Sequence, residues 1–255
     1  MQCGRLRNCI AILIAWVIAQ LNAVTAVKSF LTSSSSRQLQ PTRVACIGDS
    51  ITQGLPGPPE QSYPARLQEL LGPSFLVHNF GRGWSSLLPP ISGYPPEVIA
   101  FEGTPQYNGA VQFQPNVVVV MLGTNDAMTT MWTAQRAQAF AWRYSALITN
   151  LRRQSPPPRI LLAIPPPAYS KVGKTYGGNN QTVINTMLPQ VLRQIAESNG
   201  LGPPIDTFSL FAAQCPSFLQ ELPCAWMADA ELHPNAVGYY QIAIAVMHQI
   251  AAAPR

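Results

Sequence analysis

Charged residues are scarce in this 255-residue chain: lysine, arginine, aspartate and glutamate make up only 11 % of it. An average soluble protein has about 25 %. A chain this poor in charge is neither disordered through self-repulsion nor a coiled coil, because both need many charged residues. Hydrophobic residues make up 47 %, which is enough for one sizeable core. The length suggests one large domain, or two at most.

The chain also lacks the motifs of common cofactor and metal sites. Gly173-Lys174-Thr175 does not belong to a P-loop, because Ala168 stands where the leading glycine is required. Gly81-Arg82-Gly83 lacks the third glycine of a dinucleotide site, since Ser86 is in its place, and no zinc-protease motif is present. The formal charge of +5 comes from scattered arginines rather than a basic stripe. We therefore expect no metal, no cofactor and no nucleic-acid partner.

No apolar run reaches the roughly 20 residues that a membrane-spanning helix needs. The first run, residues 9–21, follows Arg5 and Arg7 and leads to the small residues Val24-Thr25-Ala26. This order predicts a secretory signal peptide over residues 1–26, and the alternative is an uncleaved signal anchor. Cleavage removes two arginines and no acid, which lowers the net charge from +5 to +3. We expect a secreted chain with no stable membrane span after cleavage.

A polar linker is expected between the signal peptide and a folded domain over residues 43–255. Residues 27–42 include four consecutive serines, Ser33 to Ser36, a composition typical of flexible linkers. In the domain, short apolar runs alternate with longer helical patterns, which predicts a parallel sheet with helices on both faces. The long stretch 82–116 is interpreted as an elaborated loop. Strands are predicted at 43–47, 75–80, 117–122, 159–164 and 204–207, and helices at 62–71, 134–153, 182–199 and 235–251.

Secretion changes the interpretation of the cysteines, because disulfides persist in oxidising compartments. Cys215 and Cys224 are nine positions apart in a loop. We expect a disulfide between them, and the alternative is two unpaired thiols. Cys46 lies in an apolar run and is expected to be a buried free thiol.

Polar residues follow three of the predicted strands, at the sheet edge where α/β proteins bind ligands. Gly48-Asp49-Ser50 follows the first strand, Gly81-Arg82-Gly83 the second, and Gly123-Thr124-Asn125-Asp126 the third. The last helix opens with His233-Pro234, where proline suits the first turn. A serine, two glycine turns, an amide and a histidine should thus meet at one rim. These are a nucleophile, candidate oxyanion donors and a base, the groups that acyl transfer requires.

These blocks resemble, in the same order, those of the SGNH, or GDSL, hydrolases, over most of residues 43–251. The resemblance implies a three-layer α/β/α sandwich with a flavodoxin-like parallel sheet of five strands. It assigns Ser50 as nucleophile and His233 as base in an acyl-enzyme mechanism. It assigns the N–H groups of Ser50 and Gly81 and the side-chain amide of Asn125 to the oxyanion hole. No metal or cofactor is implied.

The sequence departs from this family at the acid that orients the histidine. The family's aspartate lies three residues before the histidine, and that position is Ala230 here. Asp229 lies four residues before His233, and Glu231 lies two before it. We favour Asp229, because an extra loop residue is tolerated at little cost. The alternatives are Glu231, or a backbone carbonyl that leaves a Ser-His dyad.

Simpler roles compete with the catalytic ones for several residues. Ser50 could be a helix N-cap and Asn125 a turn residue. Asp49 and Asp126 are expected to cap or to stabilise turns rather than to take part in catalysis. Trp84, Tyr94 and Tyr107 are candidates for the acyl or leaving-group pocket, with local packing as the alternative, and His78 and His248 are interpreted as structural or surface residues.

The expected substrate also follows from resemblance. Thr104-Pro105-Gln106-Tyr107 and Ile164-Pro165-Pro166-Pro167 are similar to segments of secreted SGNH proteins assigned as carbohydrate O-acetylesterases. We therefore expect a secreted serine esterase that acts on a small-molecule or polysaccharide ester. One alternative is a lipid esterase or lysophospholipase of the same fold. The other is a non-catalytic secreted binding protein on this scaffold.

Overall fold

A computed structural model of the protein describes residues 40–128, 132–169, 180–217, 224–228 and 232–252. The predicted signal peptide and all but the last residues of the predicted linker lie outside these ranges. The strands are β1 (Thr42–Gly48), β2 (Phe75–Gly81), β3 (Ser85–Ser86), β4 (Ile99–Ala100), β5 (Val117–Met121), β6 (Arg159–Ile164) and β7 (Ile205–Asp206). The helices are α1 (Ser50–Gln53), α2 (Tyr63–Leu71), α3 (Pro105–Gln112), α4 (Ala134–Arg152), α5 (Leu188–Ser198), α6 (Thr207–Gln214) and α7 (Ala236–Ala251).

Five strands form one parallel sheet in the order β2-β1-β5-β6-β7. β3 and β4 form a separate two-stranded parallel pair. The predicted α/β fold with a five-stranded parallel sheet is confirmed. β1 lies between β2 and β5, so the segments that follow these three strands leave the sheet side by side.

Both faces of the sheet are covered, which explains why β5 is apolar without alternation. Val117 and Val119 belong to a core cluster that includes buried residues of α2, α6 and α7. Val118 and Val120 belong to a second cluster, on the other face, with buried residues of α4 and α5. Successive side chains of a strand point to opposite faces, so a strand between two helical layers must be apolar at every position. This arrangement gives the three layers that the resemblance implied.

The predicted loop at 82–116 contains regular secondary structure that was not predicted from the sequence. α3 begins after Thr104, whose hydroxyl accepts a hydrogen bond from Tyr107 N at 3.2 Å. Pro105 occupies its first turn, where a missing N–H has no cost. The same stretch also holds β3 and β4. An N-cap threonine followed by proline was the available signal for this helix.

α5 is shorter than the predicted helix 182–199, because a π-helix, Val183–Met187, precedes it. α6 was not predicted. Phe208 packs against one core cluster and Phe211 lies in the other, so this helix has no single apolar stripe.

Cys215 and Cys224 form the expected disulfide, and Cys46 is the expected buried free thiol. Both bridged cysteines are buried in the cluster that contains α7. Within the described ranges, no helix is both long enough and apolar enough to cross a bilayer.

Gly81, at the end of β2, lies too close to α1 to accept a side chain. A Cβ at this position would lie 2.2 Å from Gln53 N and 2.6 Å from the carbonyl carbon of Thr52. Both are backbone atoms, so neither can rotate away. We expect Gly81→Ala to lower the free energy of unfolding by about 1–3 kcal/mol, measured by denaturant unfolding.

Gly202→Ala is the matched control for this substitution. A Cβ at Gly202 would have no neighbour within 4 Å, so we expect little change in stability. Equal stability of the two variants would show that α1 can move away from β2 without cost.

Candidate active site

Ser50 is the first residue of α1, immediately beyond the carboxyl end of β1. The N-cap of this helix is Asp49, whose carboxylate accepts a hydrogen bond from Ile51 N at 2.9 Å. Capping is therefore the role of Asp49, and the Ser50 hydroxyl is available for other contacts. Ser50 Oγ lies 3.0 Å from His233 Nε2, within hydrogen-bond distance. The fold thus brings the predicted nucleophile and the predicted base together.

His233 lies just before α7 and is held by backbone pairing with the segment that precedes it. His233 O accepts a hydrogen bond from Ala228 N at 2.8 Å, and Pro234 forms an antiparallel bridge with Met227. Asn235 caps α7 by accepting from two N–H groups of its first turn. The same side chain donates to Met227 O at 3.2 Å. One asparagine therefore joins the start of α7 to the strand-like segment beside His233.

A further contact joins α7 to the chain that follows the nucleophile. Tyr239 of α7 is buried, and its hydroxyl donates to Leu55 O at 2.5 Å. Leu55 lies two residues beyond the end of α1, and its N–H donates to Ser50 O at 3.0 Å. The helix that begins after His233 is thus tied to the turn that carries Ser50.

Asn125 is almost fully buried beside the end of β5 and holds a neighbouring loop. Its Nδ2 donates to Ser85 O at 2.8 Å. A carboxamide nitrogen carries two hydrogens, so one more N–H remains for a ligand at this position. This arrangement suits the predicted oxyanion donor, although Asn125 also lies in a turn, so the assignment stays a prediction.

Gly81 and Gly83, the two glycines at the end of β2 and just beyond it, have different surroundings. Gly81 N donates to the side-chain oxygen of Asn79 at 2.8 Å, so its single N–H already has an acceptor. Gly83 packs beside the nucleophile, because a Cβ there would lie 3.9 Å from the Ser50 Cβ. Gly83 N donates to Gln53 Oε1 at 2.6 Å. Gly81 remains a predicted oxyanion donor. The backbone N–H of Gly83 is a second candidate, which was not predicted from the sequence.

The family of the chain can be identified by comparison with known proteins. A sequence profile of the GDSL-like lipase/acylhydrolase family matches residues 46–241, which include Ser50, Asn125 and His233. The chain belongs to this family. An acetylxylan esterase of Xylanibacter ruminicola is 28 % identical over 220 residues, which are 79 % of this chain and 41 % of that protein. The chain therefore spans about two-fifths of the length of this curated relative.

Solved structures of similar proteins have the same fold. A carbohydrate acetylesterase family member from Sinorhizobium meliloti is 19 % identical with a TM-score of 0.59, and the match covers 82 % of this chain and 97 % of that one. An aryl esterase from M. smegmatis is 19 % identical with a TM-score of 0.60, covering 83 % and 99 %. At this level of identity the similarity establishes the fold of the GDSL-like domain.

Asp126, the last residue of the third GDSL-family block, is fully buried and fastens a loop over the site. Its carboxylate accepts hydrogen bonds from Leu87 N at 2.8 Å and Leu88 N at 2.7 Å. Burial raises the pKa of Asp126 to about 6, while these two N–H groups and the charge of Arg136 oppose the rise. At neutral pH the group is ionised, and both oxygens can accept. This role agrees with the expected turn-stabilising acid.

Asp49 is the second buried carboxylate of the GDSL-family blocks. Burial raises its pKa to about 6, and the hydrogen bond from Ile51 N and the positive charge of a protonated His233 oppose the rise. Its Oδ2 atom is buried and has no hydrogen-bond partner in the part of the chain that the structure describes. Asp49 is thus an ionisable group near the catalytic pair, although its hydrogen bond serves the helix cap.

Asp229 and Glu231, the two candidates for the acid that orients His233, lie outside the described residues, as does Ala230 between them. The preference for Asp229 therefore stays a prediction, and the alternative of a Ser-His dyad also stays open. In the described ranges, no group of three or more histidine, cysteine, aspartate or glutamate side chains is arranged to hold a metal ion.

We expect Asp126→Asn to destabilise the protein and to slow catalysis. The amide keeps one acceptor oxygen, so either Leu87 N or Leu88 N is left buried without a partner, which costs about 1–3 kcal/mol. Because this loop contains Ser85, the partner of Asn125, we expect kcat to fall about tenfold or more. Thermal unfolding and ester hydrolysis measure the two effects.

Asp206→Asn is the matched control for this prediction. Asp206 caps α6 and pairs with Arg193 at the surface. Asparagine caps as well as aspartate, and an exposed ion pair contributes about 0–1 kcal/mol. We expect nearly unchanged stability and kcat for this variant. An Asp126→Asn variant with the same behaviour would show that the buried carboxylate does not fasten the loop.

Proposed function

We propose that this chain is a secreted serine esterase that hydrolyses carboxylic esters, with O-acetyl groups on carbohydrate as its substrates. The observation that carries the proposal is the 3.0 Å contact between Ser50 Oγ and His233 Nε2. The buried amide of Asn125 follows β5, the strand that pairs with the one leading to Ser50. These are the nucleophile, base and oxyanion donor of acyl transfer, in one location.

The proposed reaction proceeds through an acyl-enzyme. His233 Nε2 accepts the proton of Ser50 Oγ as the oxygen attacks the ester carbonyl carbon, which forms a tetrahedral oxyanion. The carbon–oxygen bond to the alcohol then breaks, and His233 returns the proton to the leaving oxygen. Water repeats the sequence in deacylation: His233 takes its proton, hydroxide attacks the acyl carbon, and Ser50 leaves as the hydroxyl. A carboxylic acid and a free alcohol are the products.

The oxyanion requires hydrogen-bond donors, each of which contributes about 10²–10³ in rate. The Ser50 N–H has no acceptor within α1, because it is the first helical N–H. Asn125 has its second amide hydrogen. The Gly81 N–H, as predicted from the family, would have to leave Asn79. The Gly83 N–H would be free once the side chain of Gln53, which is exposed, rotates away.

The substrate class is supported by the relatives and by the exposure of the nucleophile. An acetylxylan esterase and a carbohydrate acetylesterase family member are among the similar proteins. Ser50 is only 9 % exposed, which favours a small acyl group carried on an alcohol that stays outside. Secretion is supported by the basic, apolar and small-residue order of residues 1–26 and by the disulfide, since structural disulfides are typical of oxidising compartments.

The test of this function compares acyl chains and alcohols on the purified mature protein. We expect higher kcat/KM on acetylated xylo-oligosaccharides than on octanoyl esters or lysophospholipid. Ser50→Ala should lose about 10³-fold or more in kcat, with residual turnover from the oxyanion donors. A preference for octanoyl esters or lysophospholipid would instead support the lipid esterase.

Covalent labelling provides the control for the nucleophile. An organophosphonate should add once, to the peptide that carries Ser50, as detected by mass spectrometry. Labelling of another residue, or full activity of Ser50→Ala, would exclude Ser50 as the nucleophile. A protein that is neither labelled nor active on any ester would support the non-catalytic binding protein.

The orienting acid is tested by two isosteric substitutions. The acid keeps the histidine in the correct tautomer, and its neutralisation in a serine protease costs about 10⁴ in turnover. We expect Asp229→Asn to lower kcat far more than Glu231→Gln, with both variants folded by circular dichroism. The reverse order would assign Glu231. A loss below about tenfold in both variants would favour the Ser-His dyad.

A further inference from the structure

Trp84 has a backbone conformation that tryptophan rarely adopts. Its φ is +62°, in the left-handed region, where the Cβ of any L-residue is unfavourably close to its own main chain. Glycine would take this conformation without that cost. Such a residue persists only where its surroundings impose the conformation, and it is found most often at functional sites.

Neighbouring hydrogen bonds impose this conformation. Arg82 O accepts from Ser85 N at 3.2 Å, which closes a turn over Gly83 and Trp84. Trp84 O accepts from Ile99 N, also at 3.2 Å, at the point where β4 begins. The turn is therefore fastened to β4, and Trp84 is fixed within it.

The residues on either side of Trp84 both lie against the catalytic groups. Gly83 packs beside Ser50, with 3.9 Å between the Ser50 Cβ and the Cβ that a side chain at Gly83 would have. Ser85 O accepts the hydrogen bond from Asn125 Nδ2 at 2.8 Å. Trp84 thus lies between a neighbour of the nucleophile and a neighbour of the oxyanion donor.

The side chain of Trp84 is 36 % exposed, although Ser85 and Ser86, which follow it, are buried. An exposed indole leaves apolar surface in contact with water, which costs free energy. Within the described ranges, the indole forms no aromatic pair and no side-chain hydrogen bond. Trp84 thus combines a left-handed backbone with a partly exposed indole that has no aromatic or hydrogen-bond partner among the described residues.

We propose that Trp84 is a specificity-determining residue that packs against the sugar ring on the alcohol side of the ester. The assignment rests on the proposed function. Ser50 is only 9 % exposed, which favours a bulky carbohydrate on the solvent side of the site. Trp84 is partly exposed to solvent and directly follows Gly83, which packs beside Ser50. One face of a pyranose presents C–H groups and its edge presents hydroxyls. An indole is complementary, with an apolar face and one N–H at its edge.

The experiment measures a ratio of specificities in variants of Trp84. The ratio is kcat/KM for an acetylated xylo-oligosaccharide divided by kcat/KM for ethyl acetate, whose alcohol has no ring. We expect Trp84→Gly, which suits the left-handed backbone, to lower this ratio about tenfold, mainly through KM of the sugar ester. Trp84→Phe keeps an aromatic face and should retain most of the ratio. Trp142→Ala, at a 67 % exposed tryptophan on α4, is the matched control and should leave the ratio unchanged.

If the glycine variant does not fold, a second variant and a binding measurement still test the role of Trp84. Asparagine also tolerates the left-handed region, so Trp84→Asn should lower the ratio in the same way. Unacetylated xylo-oligosaccharide should inhibit ethyl acetate hydrolysis by the wild-type protein, with Ki raised about tenfold in either variant.

The two possible failures are distinguishable. If the wild-type protein hydrolyses the sugar ester and the variants keep its ratio, the assignment of Trp84 is overturned and the proposed function stands. If Trp84→Phe loses as much as Trp84→Gly, an aromatic face is not what the site uses, and the assignment is overturned as well. A wild-type protein that hydrolyses ethyl acetate but no sugar ester overturns the carbohydrate part of the function together with the assignment.

Discussion

The contact between Ser50 Oγ and His233 Nε2 joins residues that are 183 positions apart, and much of the structure serves to maintain it. At one end, Asp49 caps α1 and Gly48 allows β1 and β5 to approach closely, since a Cβ there would lie 2.5 Å from Met121 O. At the other end, Asn235 joins the start of α7 to the neighbouring segment. A hydrogen-bond distance across such a separation requires that both ends be fixed by partners of their own.

Buried carboxylates organise the loops around this contact. Asp49 and Asp126 are both fully buried, and burial raises each pKa to about 6. A buried carboxylate is tolerated when backbone N–H groups donate to it, and here the donors are Ile51 N for Asp49 and two loop amides for Asp126. Asp49 and Asp126, the acids of the first and third family blocks, therefore have structural roles. The proposed chemistry is assigned to the serine, the histidine and the asparagine between them.

The loop from β2 to β4 connects the structural and the chemical roles. Asp126 fastens it through Leu87 and Leu88, and Asn125 fastens it through Ser85. Gly83 and Trp84 belong to the same loop, and Gly83 packs beside Ser50. One element thus presents a candidate oxyanion donor and a candidate surface for the alcohol of the substrate.

The sequence alone determined the layered α/β class, because apolar runs without alternation, separated by helical patterns, are typical of a parallel sheet covered on both faces. Chain direction then brought the ends of β1, β2 and β5 to one rim, so Ser50 and Asn125 could be predicted as neighbours. Short elements such as α3 escaped prediction, because their caps are weak signals within a long irregular stretch.

Only the tertiary structure decided which backbone N–H groups already have hydrogen-bond acceptors. Gly81 donates to Asn79, whereas Gly83 lies beside Ser50. The left-handed backbone of Trp84 was equally hidden, since its turn is fastened to Ile99, 15 residues further along the chain. Such contacts depend on differences of an ångström between segments that pack independently, and no local pattern of residues encodes them.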